Sequence, residues 1–197
     1  MAGEIQLNST TMATESSGTI TLSNVNSATN RTNLGLGSIA TQAVDSVSIT
    51  GGTIGSGVVF PTGHILQVLQ GNYSTQTSSS SSTFTDTGLS ASITPSSSSN
   101  KILVLVNHGK CRKNGATQLG LKLFRGATEI LAYEYLLDTN DSGTRQEDII
   151  TFSCFDSPTT TSSLTYKTQF NNGQSVSSVV LQNQNSTAFI VLMEIAA

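Results

Sequence analysis

Charge is scarce in this chain. Only 11% of its 197 residues are Asp, Glu, Lys or Arg, less than half the roughly 25% of an ordinary globular domain. The net charge of −3 leaves no basic footprint for nucleic acid. Long apolar runs are missing too. Residues 102–106 and 188–193 are the longest, far short of the about 20 residues that a membrane-spanning helix needs. The two cysteines, Cys111 and Cys154, are too few for a secreted disulfide scaffold. They point to free thiols in a reducing cytoplasm, although a single bridge stays compatible with the sequence. Met1-Ala2-Gly3-Glu4 has neither a cationic n-region nor an apolar h-region, so no secretory signal is read there.

Catalytic signals are equally thin. There is no G-x-S-x-G elbow, and neither of the two histidines stands near an evident nucleophile. Carboxylates for glycoside hydrolysis could be drawn from Glu129, Glu134, Glu147, Asp148 or Asp156, but any β-rich protein has such residues. The reading is therefore non-enzymatic, with no cofactor and no metal. Gly35–Ala40 (GLGSIA) matches G-x-G-x-x-A without the strand before it and the helix after it that a dinucleotide site requires. Asp138–Gly143 (DTNDSG) begins like a calcium loop, yet Ile149 stands where the bidentate Glu is needed. A polar hairpin loop is the better account. His108 and Cys111 supply two ligands where zinc wants about four. Lys110, Arg112 and Lys113 form the densest positive cluster, read as a solvated hairpin tip. His64 is read as structural.

What is abundant is Ser, Thr, Asn, Gln and Gly, with β-branched residues among them. Low hydrophobicity without high charge suits all-β and fibrous proteins better than disorder. The chain changes character at Val58–Gln70. Before it, Glu4–Leu7 and Thr19–Leu22 alternate like strands of a small hairpin, and residues 26–34 read as one short helix capped by Ser27 and ended by Gly35. Ile49 and Ile54 are single apolar residues in Gly/Ser/Thr surroundings. That stretch is either a floppy linker or a shaft completed by other copies of itself around a three-fold axis, and the second is preferred.

After the junction the alternation is steady. Strands are predicted at 64–70, 84–94, 101–107, 118–124, 129–137, 148–155, 164–170 and 187–195, each bounded by turn residues, the pattern of an antiparallel sandwich or barrel. The continuous runs from Lys101 and Thr187 predict central strands or strands at a subunit interface. Leu121/Leu123 and Ile130/Ala132/Tyr135 predict half-exposed strands, and both serine tracts, at 77–83 and 95–100, predict loops.

Asn30–Gln42 (NRTNLGLGSIATQ) resembles the A-R-x-N-L-G-L-G-x-x-A-T segment of tailed-bacteriophage tail fibres. Phe60–Gln70 (FPTGHILQVLQ) with Leu89–Val104 is similar to the C-terminal heads of fibre-like proteins of marine and cyanobacterial phages. The opening MAGEIQLN is similar to such virion proteins as well. The resemblance implies a homotrimeric structural protein of the virion, made in the host cytoplasm. Residues 1–60 would attach to tail or capsid proteins and trimerise, and residues 61–197 would form a jelly-roll-like β-sandwich head that touches host-surface glycan or protein. No nucleic acid or membrane insertion is implied. Alternatives are a capsid decoration protein bound through its N-terminal arm and a glycan-degrading tailspike. Receptor-contact candidates are Lys110, Arg112, Lys113, Asp138, Asn140, Asp141, Arg145, Asn171 and Asn172. Trimer-interface candidates are Ile49, Ile54, Val58, Val59 and Phe60.

Overall fold

A computed structural model describes residues 3–7, 10–16, 19–22, 58–139, 143–174 and 176–197. The chain divides into two compact units, Met1–Val58 and Val59–Ala197. The first contains a three-stranded antiparallel sheet, β1 (Gly3–Leu7), β2 (Thr10–Ser16) and β3 (Thr19–Leu22), in the order β1-β2-β3. The two alternating runs are thus strands, but they are joined through a third, TTMATES, whose threonines suit a pleated surface without marking a period. The short helix expected at 26–34 and the candidates Ile49 and Ile54 lie outside the described residues.

The second unit is built from eight long strands. They are β4 (Ile65–Tyr73), β6 (Thr85–Ile93), β7 (Lys101–Asn114), β8 (Thr117–Arg125), β9 (Thr128–Thr139), β10 (Arg145–Asp156), β11 (Leu164–Asn172) and β13 (Ala188–Ile195). One sheet runs β4-β13-β7, with β10 on the far edge of β7; the other runs β6-β11-β8-β9. All pairings are antiparallel. The β8–β9 connection stays within one sheet, while the other connections between long strands cross from sheet to sheet. That connectivity is a jelly roll, two interlocked Greek keys, so the sequence-based fold class of an all-β antiparallel sandwich holds. Two short strands, β5 (Thr77–Ser79) and β12 (Val179–Leu181), pair with each other and extend the first sheet beside the end of β7.

Alternation explains the layers. Ile102, Val104 and Val106 of β7 and Ile190 and Leu192 of β13 face Leu119, Leu121 and Leu123 of β8 and Tyr166 and Phe170 of β11, all buried. Leu121 and Leu123 are therefore fully inside, whereas Ala132 and Tyr135 of β9 stay exposed. Along one side of the sandwich the edge strands β4 and β6 come close. A Cβ on Gly71 would lie 2.0 Å from the Ser90 carbonyl oxygen, so only glycine permits the approach.

Buried polar groups tie the layers together. Glu194 is buried among neutral donors: Gln67 Nε2 at 2.6 Å, Asn100 Nδ2 at 2.6 Å, and the Ser96 amide and hydroxyl at 2.7 and 2.8 Å. Burial works to raise its pKa, but the bonds from Asn100, Gln67 and Ser96 outweigh it and hold the carboxyl below its ordinary value. The second serine tract is thereby fixed as an ordered loop, while part of the first becomes β5 instead of a loop. His108 forms a second network. Gln182 Nε2 donates to its Nδ1 at 2.8 Å, its Nε2 donates to Thr168 Oγ1 at 3.1 Å, and Thr168 meets Thr87 Oγ1 at 2.6 Å. Burial drives the His108 pKa down to about 4.

Candidate functional site

The cationic cluster 108–114 is not a hairpin tip. Strand β7 runs through it to Asn114, paired with β10 on one edge and β12 on the other, and strand alternation sends its members to opposite faces. Lys113 is fully buried and donates to the Gly115 carbonyl at 2.9 Å. Lys110 is exposed and bonds Gln184 Oε1 at 2.7 Å, and Arg112 is half-buried. Asn172 is buried as well, bonded to Thr117 and, at 2.5 Å, to the Ser177 carbonyl. Lys113 and Asn172 are thus corrected from surface contacts to interior residues. Asp138 and Arg145 share an open depression of about 400 Å³ with Glu147 and Asp148, in which Arg145 pairs with Glu147 at 2.8 Å. Asn140 and Asp141 lie outside the described residues. Among the described residues no three His, Cys, Asp or Glu side chains gather as a metal site.

Two surfaces of the head stand out. The first is the outer face of the β4-β13-β7-β10 sheet. The register places Val68, Met193, Leu103 and Phe155 side by side across all four strands. Val68 is 54% exposed and Phe155 63%. The next row is Gln70, Val191, Leu105 and Ser153, and the one after it Asn72, Phe189, Asn107 and Thr151. No side chain in these twelve positions is charged. Four strands about 4.8 Å apart and three rows about 6.8 Å apart make a face of roughly 20 by 20 Å with side-chain margins. Seven of the twelve side chains are apolar and five are neutral and polar, and the face is about the size of the largest patch on a typical monomer, which is often functional. The row beyond is Ile65, Ile195 and the cation Lys101; past it Ala196 pairs with Gly63 and His64, and Phe60 is stacked on His64 with centroids 4.8 Å apart. Val58, Val59 and Phe60 are all exposed.

The second surface is the outer face of the other sheet, and it is polar. Lys167 and Gln169 hold Asp86 at 3.0 and 2.7 Å; the bonds from Gln169 and Lys167 keep its carboxyl below the ordinary range. Lys122 pairs with Glu129 at 2.7 Å and sits over the Phe84 ring at 4.5 Å. Beside them is a depression of about 220 Å³ lined by Ser82, Gln118, Gly120, Glu134, Tyr135, Asn171 and Gly173. Its floor is the backbone at Gly120, where a Cβ would stand 2.3 Å from Asn171 Oδ1. Asn171 is held in place by its bond to the Ser82 carbonyl at 2.8 Å. Of the contact candidates among the described residues, Asn171 alone lines this depression. Gln118, Glu134 and Tyr135 were not singled out as contacts.

The reason is a local break in β9. Between Leu119 and Leu121 of β8 lies one residue, while their partners Leu136 and Tyr133 enclose two, Glu134 and Tyr135. A second bulge sets Leu137 and Asp138 against Gln118. In an unbroken strand Glu134 and Tyr135 would point to opposite faces; bulges re-aim side chains. Tyr135 and Leu137 take left-handed φ values of 63° and 49°, a strained state for such residues.

No protein-family model matches the chain, and no curated protein matches it. Among solved structures it is similar to dimeric latent PorU from Porphyromonas gingivalis, at 10% identity and TM-score 0.39, covering 75% of this chain and 14% of that one. It is also similar to the VP2 protein of infectious bursal disease virus in T=1 particles, at 13% identity and TM-score 0.40, covering 76% and 41%. The infectious bursal disease virus Gx strain structure gives 11% and 0.40, with coverage of 76% and 42%. The chain spans less than half the length of each. At these identities and TM-scores the likeness bears on no residue and no activity of this chain.

Proposed function

We propose that this chain is a non-enzymatic structural protein of a virus particle, a homotrimeric short fibre of a tailed phage whose jelly-roll head contacts the host surface. The carrying observation is the uncharged row Val68–Met193–Leu103–Phe155 with the two rows beside it. Twelve neighbouring positions without charge, bordered by Lys101 in the row beyond, are suited to packing against copies of themselves, because such stretches meet without like-charge repulsion or stranded ions. The face also lies at the end of the head where the chain enters through Phe60, the place at which the strands of a fibre converge. Three-fold symmetry, attachment of residues 1–60 to other virion proteins, and host contact rest on the resemblance of residues 30–42 and 60–70 to phage fibres.

The test is the native mass of the full chain and of Leu103→Glu. Wild type should have three times the 20.6 kDa of one chain. Leu103 is half-buried on the outer face, so a glutamate there is tolerated by the isolated fold and intolerable between subunits. Leu103→Glu should therefore be a folded monomer. A monomeric wild type, or an unchanged trimer in the variant, overturns the reading.

A further inference from the structure

We propose that the depression over Gly120 is a subsite for a single neutral pyranose ring, a proposal that rests on the host-contact reading of the head and gives it a ligand class. Three independent features converge there. The β9 bulges turn two consecutive side chains, a carboxylate and an aromatic ring, onto one rim. Tyr135 is 64% exposed at a strained φ of 63°, a costly way to display a ring that no core contact requires. At Gly120 the absence of a side chain lets Asn171, fixed by the Ser82 carbonyl, lie across the strand and border the depression.

The chemistry of this set is that of sugar recognition. A pyranose offers an apolar C–H face to an aromatic ring and a rim of hydroxyls that both donate and accept. Tyr135 supplies the ring. Glu134 accepts two hydroxyl bonds, and the amides of Gln118 and Asn171 accept and donate. Among the described residues the side chains of Glu134, Gln118 and Tyr135 make no hydrogen bond, so a ligand displaces none. The volume of about 220 Å³ is below the roughly 300–1,000 Å³ of pockets for drug-sized ligands, which limits the occupant to one ring. Glu134 is the charged side chain of the lining, and it disfavours an anionic sugar. One shallow ring binds weakly, and a trimer presenting three such subsites gains through avidity.

The experiment is saturation-transfer-difference NMR on the full-length protein. The probes are methyl glucoside, methyl galactoside and methyl N-acetylglucosaminide, with methyl glucuronide as the anionic control. At least one neutral glycoside should give a signal, strongest at ring C–H protons. Tyr135→Ala should weaken it ~10-fold, the scale of one lost aromatic contact, and Glu134→Gln should weaken it with the fold and native mass unchanged. Absence of signal from all three neutral glycosides, preference for the glucuronide, or equal binding by both variants overturns the subsite. Native mass in the same samples separates the two readings. A trimer that binds no sugar loses the subsite alone; a monomer that binds through Tyr135 keeps it and loses the oligomer.

Discussion

Acid should weaken the head through His108 before it touches any carboxylate. The ring is wholly buried, held neutral between Gln182 and Thr168, with its pKa lowered from 6.5 to about 4 by burial. Because the folded value lies below the unfolded one, the unfolded chain takes up the extra proton between pH 6.5 and 4. The stabilisation is complete above pH 6.5 and is lost as pH falls towards 4. Linkage with these two values gives a loss of about 2 kcal/mol at pH 5 and about 3 kcal/mol at pH 4. Asp86, Glu147 and Glu194 are held below their ordinary values of 3.8, 4.5 and 4.5, so their share is lost only at lower pH. Urea midpoints measured from pH 8 to pH 4 at one protein concentration should fall below pH 6.5 in the wild type. His108→Gln, which cannot ionise, should be less stable at pH 8 yet flat between pH 6.5 and 5. Equal slopes in the two proteins would refute the assignment.

Two further outcomes follow from packing and burial. Both thiols are free; burial pushes Cys111 up to about 12 and raises the half-buried Cys154 too, so Ellman's reagent should label the native protein slowly and two thiols per chain after denaturation. Rapid native labelling of a Cys154→Ser variant, which leaves Cys111 alone, contradicts that. Gly71→Ala forces a methyl against the Ser90 carbonyl and should cost about 1–3 kcal/mol in urea denaturation; an unchanged midpoint means that β4 and β6 can separate freely.

The strands of the head are legible because each carries its own period. Ile102-Val104-Val106 and Leu119-Leu121-Leu123 mark the core face without outside help. What local pattern does not carry is the length of an element set by its neighbours. The residues 108–114 read as a polar tip because Lys110, Arg112 and Lys113 are cations. In the fold, β10 and β12 supply ladder partners on both edges, and the strand continues, burying Lys113. The serines at 77–79 become a strand for the same reason, through β12. The depression over Gly120 did leave a trace. In Ile130/Ala132/Tyr135 the interval rises from two to three residues, the mark of an inserted residue, and that irregular step is where Glu134 and Tyr135 share a rim.

The placement of β13 between β4 and β7 has a consequence for how the protein is made. β13 fills the centre of the sheet, between β7 and the first long strand of the head, β4, which lies more than a hundred residues earlier in the chain. Until residues 188–195 are free, β4 has no neighbour in that sheet, β7 has an open edge, and the middle column of the apolar face, Phe189, Val191 and Met193, does not exist. Sheet completion is therefore late and dominated by long-range closure, which is slow. Under the self-packing proposed for that face, a second copy finds no complete face to meet until β13 is in place. A chain without residues 188–195 therefore has two bare strand edges, one on β4 and one on β7.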